Sequence, residues 1–427
     1  LALCLGAAAK AQVPINVTAG TEIDSSKPHV AFNTAVKTFF VVWQEEFGDV
    51  RGRTVSDRGV LGPMRRIFDA SSIRSLRYDT KFEDASVVYV QDRKTAAGGE
   101  YFVVARMIQT ERFGRGREFV EIVGRRLDND GKPVSGVVRL SQTGLGASRS
   151  LPASFLGGKP DIAAPATNDI AAPLVVWSEA DTVRGAYWPA SGRGNPFPVI
   201  LAKSGGAIPS PAVAFDPNGG DGRYLTAFPL ETRRGRSAIA IAETPAGSTR
   251  AVPFKVIAEG VRPRPPGGFG PILRNDVDIA VGAKTIDVVF YEGGGINRGI
   301  SSGRSLAPDL STLEKIRSLP RIAAGHVSFE FPTTTAFGEG FASGYDLNAF
   351  GGNFAGLSLA AADGRWLAGV SVPRPASLPR FGSIIDRPTV AAFEGAGIVA
   401  FAWSNRNPPA QMVERNVWVA MMTPPRP

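Results

Sequence analysis

The chain holds two histidines and one cysteine among 427 residues, so a histidine-based triad and a metal site built from several histidines are excluded. Carboxylates are the remaining candidates for chemistry. Glu45, Glu179 and Glu292 each follow a short run of β-branched and aromatic residues, and Arg51, Arg184 and Arg298 stand five or six residues further on. A Glu and an Arg at that spacing can meet across a hairpin as a bracing ion pair. Alternatively, the three glutamates line one face and act on a sugar or hold a cation. Glycosidic chemistry needs two carboxylates roughly 5 to 10 Å apart. Spacing alone does not set that separation, so the catalytic residues stay unknown, with these three as candidates.

Other constellations point to binding or to packing. Arg112, Arg115 and Arg117 cluster in one loop, Arg233, Arg234 and Arg236 in another, and Arg406 and Arg415 flank a third. The planar guanidinium suits carboxylate, phosphate or sulfate, so convergence of such loops would make an anion-binding surface. Asp128-Asn129-Asp130-Gly131 opens like a calcium loop but lacks a Glu six residues after the Gly, and Asp57, Asp130 and Asp363 are read as hairpin-turn residues. Neither a metal nor a cofactor is expected. Trp43, Trp177 and Trp403 sit within apolar runs and are expected in the core.

The elements that must position these residues repeat. Phe39-Phe40-Val41-Val42-Trp43-Gln44-Glu45 returns as Pro173-Leu174-Val175-Val176-Trp177-Ser178-Glu179, and in weaker form as Tyr101-Phe102-Val103-Val104, Tyr224-Leu225-Thr226-Ala227-Phe228, Ile286-Asp287-Val288-Val289-Phe290 and Ile398-Val399-Ala400-Phe401-Ala402-Trp403. Each reads as a buried strand. Val50-Arg51-Gly52 returns as Val183-Arg184-Gly185 and, in this reading, as Asn297-Arg298-Gly299. Repeats of this length, each worth about four strands, predict an all-β protein: a seven-bladed β-propeller of four-stranded antiparallel blades. The blades are placed near residues 28–70, 85–142, 160–204, 211–259, 275–322, 326–373 and 388–422. The last lacks a fourth strand, and residues 13–19 supply a spare one, so an N-terminal strand is expected to complete the last blade and close the ring. His29 and His326 open the first strand of blades one and six in this scheme, which suggests a role in the repeat itself.

Val-Val-Trp followed by Gln-Glu or Ser-Glu, Val-Arg-Gly, and the Asp-x-Asp-Gly turn together resemble the phrases of uncharacterised secreted bacterial β-propeller repeat proteins. The resemblance spans most of the chain, and it implies a fold and export without an activity. The kelch double-Gly signature, the WD40 Gly-His…Trp-Asp pair and the sialidase Ser-x-Asp-x-Gly-x-x-Trp box are absent from the sequence. Leu1 to Ala11 reads as the remnant of a signal peptide ending in Ala9-Lys10-Ala11, leaving residues 12–427 as one domain without cysteine. A periplasmic or extracellular location follows from that reading, with no transmembrane segment in the mature chain.

The formal charge of +9 is carried mostly by Arg. For an exported chain it directs attention to acidic polysaccharide or an envelope protein rather than nucleic acid. The function expected from sequence is a binding or scaffold module that engages an anionic envelope polymer or envelope protein through Arg-bearing loops. The alternative is a glycoside hydrolase-like enzyme using carboxylates at the funnel mouth.

Overall fold

The computed structural model describes residues 10–424 apart from 22, 74–76, 93–97, 114–117, 142–158, 168–169, 180, 190–193, 202–209, 220, 232–236, 260–275, 294–298, 314–316, 319–331, 350–351, 364, 373–374, 376–383 and 407–414. Seven antiparallel sheets follow one another around an axis, six with their strands in chain order from the inside outward and the seventh with N-terminal strands added at its outer edge. Blade one contains Ser25–Asn33, Thr38–Glu45, Val50–Ser56 and Arg65–Phe68, and blade two contains Tyr78–Gln91, Gly99–Glu111, Glu118–Leu127 and Val138–Arg139. Blade three contains Asp161–Ala163, Leu174–Glu179, Thr182–Tyr187 and Phe197–Pro198, and blade four contains Ala212–Asp216, Arg223–Glu231, Ser237–Pro245 and Phe254–Glu259. Blade five contains Val277–Val281, Ile286–Gly293, Gly299–Leu306 and Arg317–Ser318, and blade six contains Thr333–Phe337, Gly340–Ala349, Gly352–Ala360 and Trp366–Ser371. Blade seven contains Ile384–Phe393, Ile398–Arg406 and Val417–Thr423. The architecture is the seven-bladed propeller expected from the repeats. Among the described residues no helix is long and apolar enough to cross a membrane.

The apolar second strands are buried on both faces, and this explains their unbroken hydrophobic runs. Phe39, Val41 and Trp43 point into blade seven, against Ala400, Ala402 and Val419. Phe40 and Val42 point the other way, against Phe82, Tyr101 and Val103 of blade two. Further apolar slabs lie between blades two and three, three and four, four and five, and six and seven. Trp43, Trp177 and Trp403 are fully buried in this packing, as expected. Each such side chain contributes on the order of 2–3 kcal/mol. Glycine recurs in the third strand because the slabs are tight: a Cβ on Gly52 would stand 2.6 Å from the Phe40 ring and 2.8 Å from Ile67.

The N-terminal segment closes the ring. Lys10 and Ala11 pair with Thr423 and Met422, and Ile15 and Asn16 pair with Val419 and Trp418, all antiparallel on the outer edge of blade seven. Val17 N–H donates to Val417 O at 2.9 Å, and the Thr18 hydroxyl donates to Asn416 Oδ1 at 2.9 Å. The closing strand thus runs as two short pieces from Lys10 to Asn16 and removes an exposed sheet edge. Leu1 to Ala9, the rest of the expected leader, lie outside the described residues.

An arginine staple between blades repeats with the same geometry. Gly52-Arg53, Gly124-Arg125 and Gly303-Arg304 occupy equivalent third-strand positions, facing Val42, Val104 and Val289 through each glycine. Arg53 donates to Val17 O, Arg125 donates to Ile67 O at 2.7 Å, and Arg304 donates to Ile257 O. Each acceptor lies on, or for Val17 directly follows, the outermost strand of the preceding blade. Arg53 therefore treats the N-terminal strand as the outer strand of blade seven.

Register corrects two sequence readings. The third strand of blade five starts at Gly299, and the residue facing Phe290 is Ser302, so Ser302-Gly303-Arg304 is the counterpart of Arg51-Gly52-Arg53. Asn297-Arg298-Gly299 matched the short motif but falls four residues early, and Arg298 lies outside the described residues. The inner strand of blade six starts at Thr333, which pairs with Gly344 of its second strand as His29 pairs with Val42 in blade one. His326 lies outside the described residues.

Arg125→Ala removes the Ile67 contact together with a second bond to Ser135 O at 2.9 Å. It is expected to lower unfolding free energy by about 1.5–3 kcal/mol, measured by urea denaturation with an unchanged slope.

Candidate functional site

The inner strands of all seven blades contact their neighbours in a closed ring. Their N-terminal ends surround a funnel mouth lined by Lys27, Pro28, His29, Asp84, Ala85, Lys159, Asp161, Ser210, Pro211, Ala212, Asp276, Val277, Asp278, Pro332, Thr333, Pro388 and Thr389. These residues belong to one tripeptide position that the sequence repeats seven times: Lys27-Pro28-His29, Asp84-Ala85-Ser86, Lys159-Pro160-Asp161, Ser210-Pro211-Ala212, Asp276-Val277-Asp278, Phe331-Pro332-Thr333 and Arg387-Pro388-Thr389, of which Phe331 and the side chain of Arg387 lie outside the described residues. Proline fits the middle position because it opens a strand, or a bulge, where no ladder donor is needed. In blades one, two and seven the pairing register slips at this tripeptide, between Ser26 and His29, Glu83 and Ser86, and Asp386 and Thr389. The first residue of the tripeptide is left-handed in three blades: Lys27 at φ 52°, Asp84 at 53° and Asp276 at 58°. A non-glycine residue held there costs on the order of 1–3 kcal/mol, and such residues concentrate at ligand sites.

The third tripeptide position forms bonds between blades. Asp161 Oδ2 accepts Val213 N–H of blade four at 2.8 Å, and Asp278 Oδ2 accepts Thr334 N–H of blade six at 2.8 Å. His29 Nδ1 accepts Val87 N–H of blade two at 3.3 Å. With Nδ1 accepting, the ring proton is assigned to Nε2, 3.2 Å from Ser86 Oγ, and the Ser86 hydroxyl donates onward to Asp161 Oδ1 at 2.8 Å. Burial, with Lys159 adding to it, lowers the His29 pKa to about 3. Burial also raises Asp161 above the usual carboxylate range, against the pull of Lys159 and its hydrogen bonds. Burial and then the Asp161 charge push Asp278 up to about 6.

The first tripeptide position carries charge. Lys27 Nζ lies 2.9 Å from Asp84 Oδ1, and Arg106 Nη2 lies 3.0 Å from Asp84 Oδ2 and 2.8 Å from Glu83 Oε2. Lys159 forms no ion pair or hydrogen bond among the described residues. The mouth is therefore polar and mixed in sign, and among the described residues no Phe, Tyr or Trp lines it. Among the described residues no group of three or more acidic, histidine or cysteine side chains could hold a metal ion.

The residues singled out from sequence fall elsewhere. Glu45 Oε2 lies 2.8 Å from Arg51 Nε, an electrostatic contact in which the N–H is turned off the line, and Glu179 Oε2 accepts from Arg184 Nε at 3.1 Å. Both glutamates brace their own hairpins, and neither lines the mouth. Burial pushes the Glu45 carboxyl above its usual range, against the pull of Arg51. The side chain of Glu292 lies outside the described residues. Arg112 is paired with Asp79 at 2.6 Å, and Arg115, Arg117, Arg233, Arg234 and Arg236 lie outside the described residues. The side chain of Arg406 does too, while Arg415 sits 3.8 Å from Asp24. The recurring x-Pro-x tripeptide, visible in the sequence at five of its seven positions, was the missed signal for the funnel.

No family model matches the chain, and no curated protein sequence does. Among solved structures, a protein of unknown function from Dyadobacter fermentans is similar with a TM-score of 0.53 at 9% identity, over 98% of this chain and 99% of its own. The NanB sialidase from Streptococcus pneumoniae gives a TM-score of 0.48 at 9% identity, covering 96% of this chain and 70% of that one. The Aleuria aurantia lectin gives 0.43 at 10% identity, covering 86% and 100%. The first likeness is one of fold alone, and the other two carry no argument about this chain.

His29 contributes stability that is fully present above the ordinary histidine pKa and lost as pH falls towards about 3. In an imidazole NMR titration its Cε1–H signal is expected to stay flat from pH 8 to pH 4. A midpoint near the ordinary value of about 6.5 would contradict the His29–Ser86–Asp161 relay.

Proposed function

We propose that this protein is an exported propeller that binds an anionic polysaccharide at the face bearing the funnel mouth. The observation that carries this reading is the convergence of seven inner-strand ends on one polar mouth that includes Lys159, a cation without an ion pair among the described residues. Loops joining second and third strands lie on the same face by topology, and Arg112 stands where one of them leaves its strand in blade two. The charge of +9 favours approach of a polyanion. A binding role also accounts for the strained Lys27, Asp84 and Asp276, because a preorganised rim reduces ordering on binding.

One observation favours glycoside hydrolysis as a second reading. Asp278 is held at about 6 beside Asp161, the condition of a carboxylic acid that can donate a proton near neutrality. Both carboxylates also hold neighbouring blades together, which places binding first.

The test is retention of polygalacturonate, dextran sulfate and neutral dextran at low and high salt. Binding to the two polyanions only, weakening as salt rises, is expected. Lys159→Ala should lower it, and so should joint replacement of Arg115, Arg117, Arg233 and Arg234 by alanine. Release of reducing ends that disappears in Asp278→Asn would favour the enzyme. Salt-independent retention of dextran would overturn the polyanion reading.

A further inference from the structure

The edge amides of the inner strands reveal a pattern with one break. In register, the residue after each tripeptide is Val30, Val87, Ile162, Val213, Ile279, Thr334 or Val390. Val87, Val213 and Thr334 send their N–H groups out of their own ladders to side chains at the third tripeptide position of the preceding blade. The ladder pairs Val30 with Val41 and Val390 with Phe401, as it pairs Val87 with Val103 and Val213 with Thr226. The Val30 and Val390 N–H groups therefore leave their ladders on the same side.

Each carboxylate of the ring serves two successive blades. Asp278 takes Ile279 N–H of its own blade at 2.9 Å and Thr334 N–H of the next at 2.8 Å. Asp161 likewise receives Ile162 and Val213. His29 takes Val87, so five of the seven amides have a side-chain acceptor. The remaining two, Val390 and Val30, belong to successive blades, seven and one. The residue that would supply their carboxylate is Thr389, which is buried at the funnel wall. Among the described residues no side chain accepts from either amide, and the Thr389 hydroxyl has no partner.

We propose that the funnel wall between blades seven and one seats a carboxylate of the ligand, bridging Val390 N–H and Val30 N–H and receiving the Thr389 hydroxyl. Asp161 and Asp278 display the geometry that a ligand carboxylate would copy there. Charge-assisted bonds from two backbone amides and a hydroxyl favour an anion over a neutral group. The rest of the mouth, with Asp84, Asp276, Ser210 and Lys159, suits the hydroxyls around that carboxylate. The ligand class is thus a sugar acid, such as one uronate unit of an acidic polysaccharide. This subsite rests on the reading that the mouth face is the binding face.

The test titrates the full chain with sodium glucuronate and, separately, glucose, following backbone amides by NMR. Glucuronate should move the Val30 and Val390 amide protons downfield and leave Val87, Val213 and Thr334 in place; glucose should move none of them. Thr389→Asp supplies the carboxylate in cis, so it should bind glucuronate ~10-fold or more weakly, with a melting temperature no lower than that of the parent. Should that variant fail to fold, Thr389→Val, equal in shape and lacking the hydroxyl, should still show weakened binding. Unmoved amides at Val30 and Val390, or glucuronate binding unaffected in the variant that folds, would overturn the subsite. Polyanion binding with those amides unmoved sinks the subsite and leaves the functional reading standing. Glucuronate shifts at Val30 and Val390 without polyanion retention sink the functional reading and leave the subsite.

Discussion

Seven inner strands arranged around a narrow axis each turn one edge towards the axis, and no further strand can pair with that edge. Backbone N–H groups there still require acceptors, because an unpaired amide removed from water costs about as much as a lost hydrogen bond. The ring answers this with side chains at one repeated position: His29, Asp161 and Asp278 each reach the amide of the next blade. Polar residues that look out of place at the start of apolar strands are there for that reason. The same requirement keeps His29 neutral and binds it through Ser86 to Asp161. Asp161 and Asp278 serve blades three to six and His29 serves blade two, which leaves one break in the set of acceptors among the described residues. The break falls at blades seven and one.

The outer rim meets a different requirement. Blades pack face to face through apolar slabs, which are weakly directional and would allow neighbouring sheets to slide. Arg53, Arg125 and Arg304 fix the alignment by donating to one backbone carbonyl of the preceding blade. The glycine before each of them lets the sheets come close enough for that reach. Arginine suits the position because a long aliphatic stem tolerates apolar surroundings while its fork reaches the carbonyl. Where the chain ends meet, Arg53 grips Val17 O as its counterparts grip an outer strand, so closure is held by the ladder and by a staple.

These uses change how the positive charge should be understood. Much of the arginine content acts within the fold, as staples or as hairpin ion pairs such as Glu45–Arg51 and Glu179–Arg184. Net charge therefore overstates the charge offered to a partner. Lys159 differs because it stands at the mouth without an ion pair among the described residues. Its position beside Asp161 and His29 links the charge of the mouth to the ring that holds the blades together.

The architecture was legible in the sequence because buried strands repeat a strong local signal. Phe39 to Trp43 and Leu174 to Trp177 are apolar on both faces, and the Val-Arg-Gly phrase marks the strand that follows. Blade number and closure came from counting those phrases and from the spare strand at the N-terminus. The funnel was not legible, since its residues are scattered singly over the whole chain, from Lys27 to Thr389, and act only when the ring brings them together. Short motifs also misled where loop length varied: Asn297-Arg298-Gly299 imitates the phrase, yet the register selects Ser302-Gly303-Arg304. The sequence by itself determined the strands, because burial on two faces demands a continuous apolar run within a few residues. Tertiary structure alone decided which polar residues share the axis, because hydrogen bonds such as Asp161 to Val213 and Asp278 to Thr334 join residues some fifty positions apart, and only ring closure sets their distance.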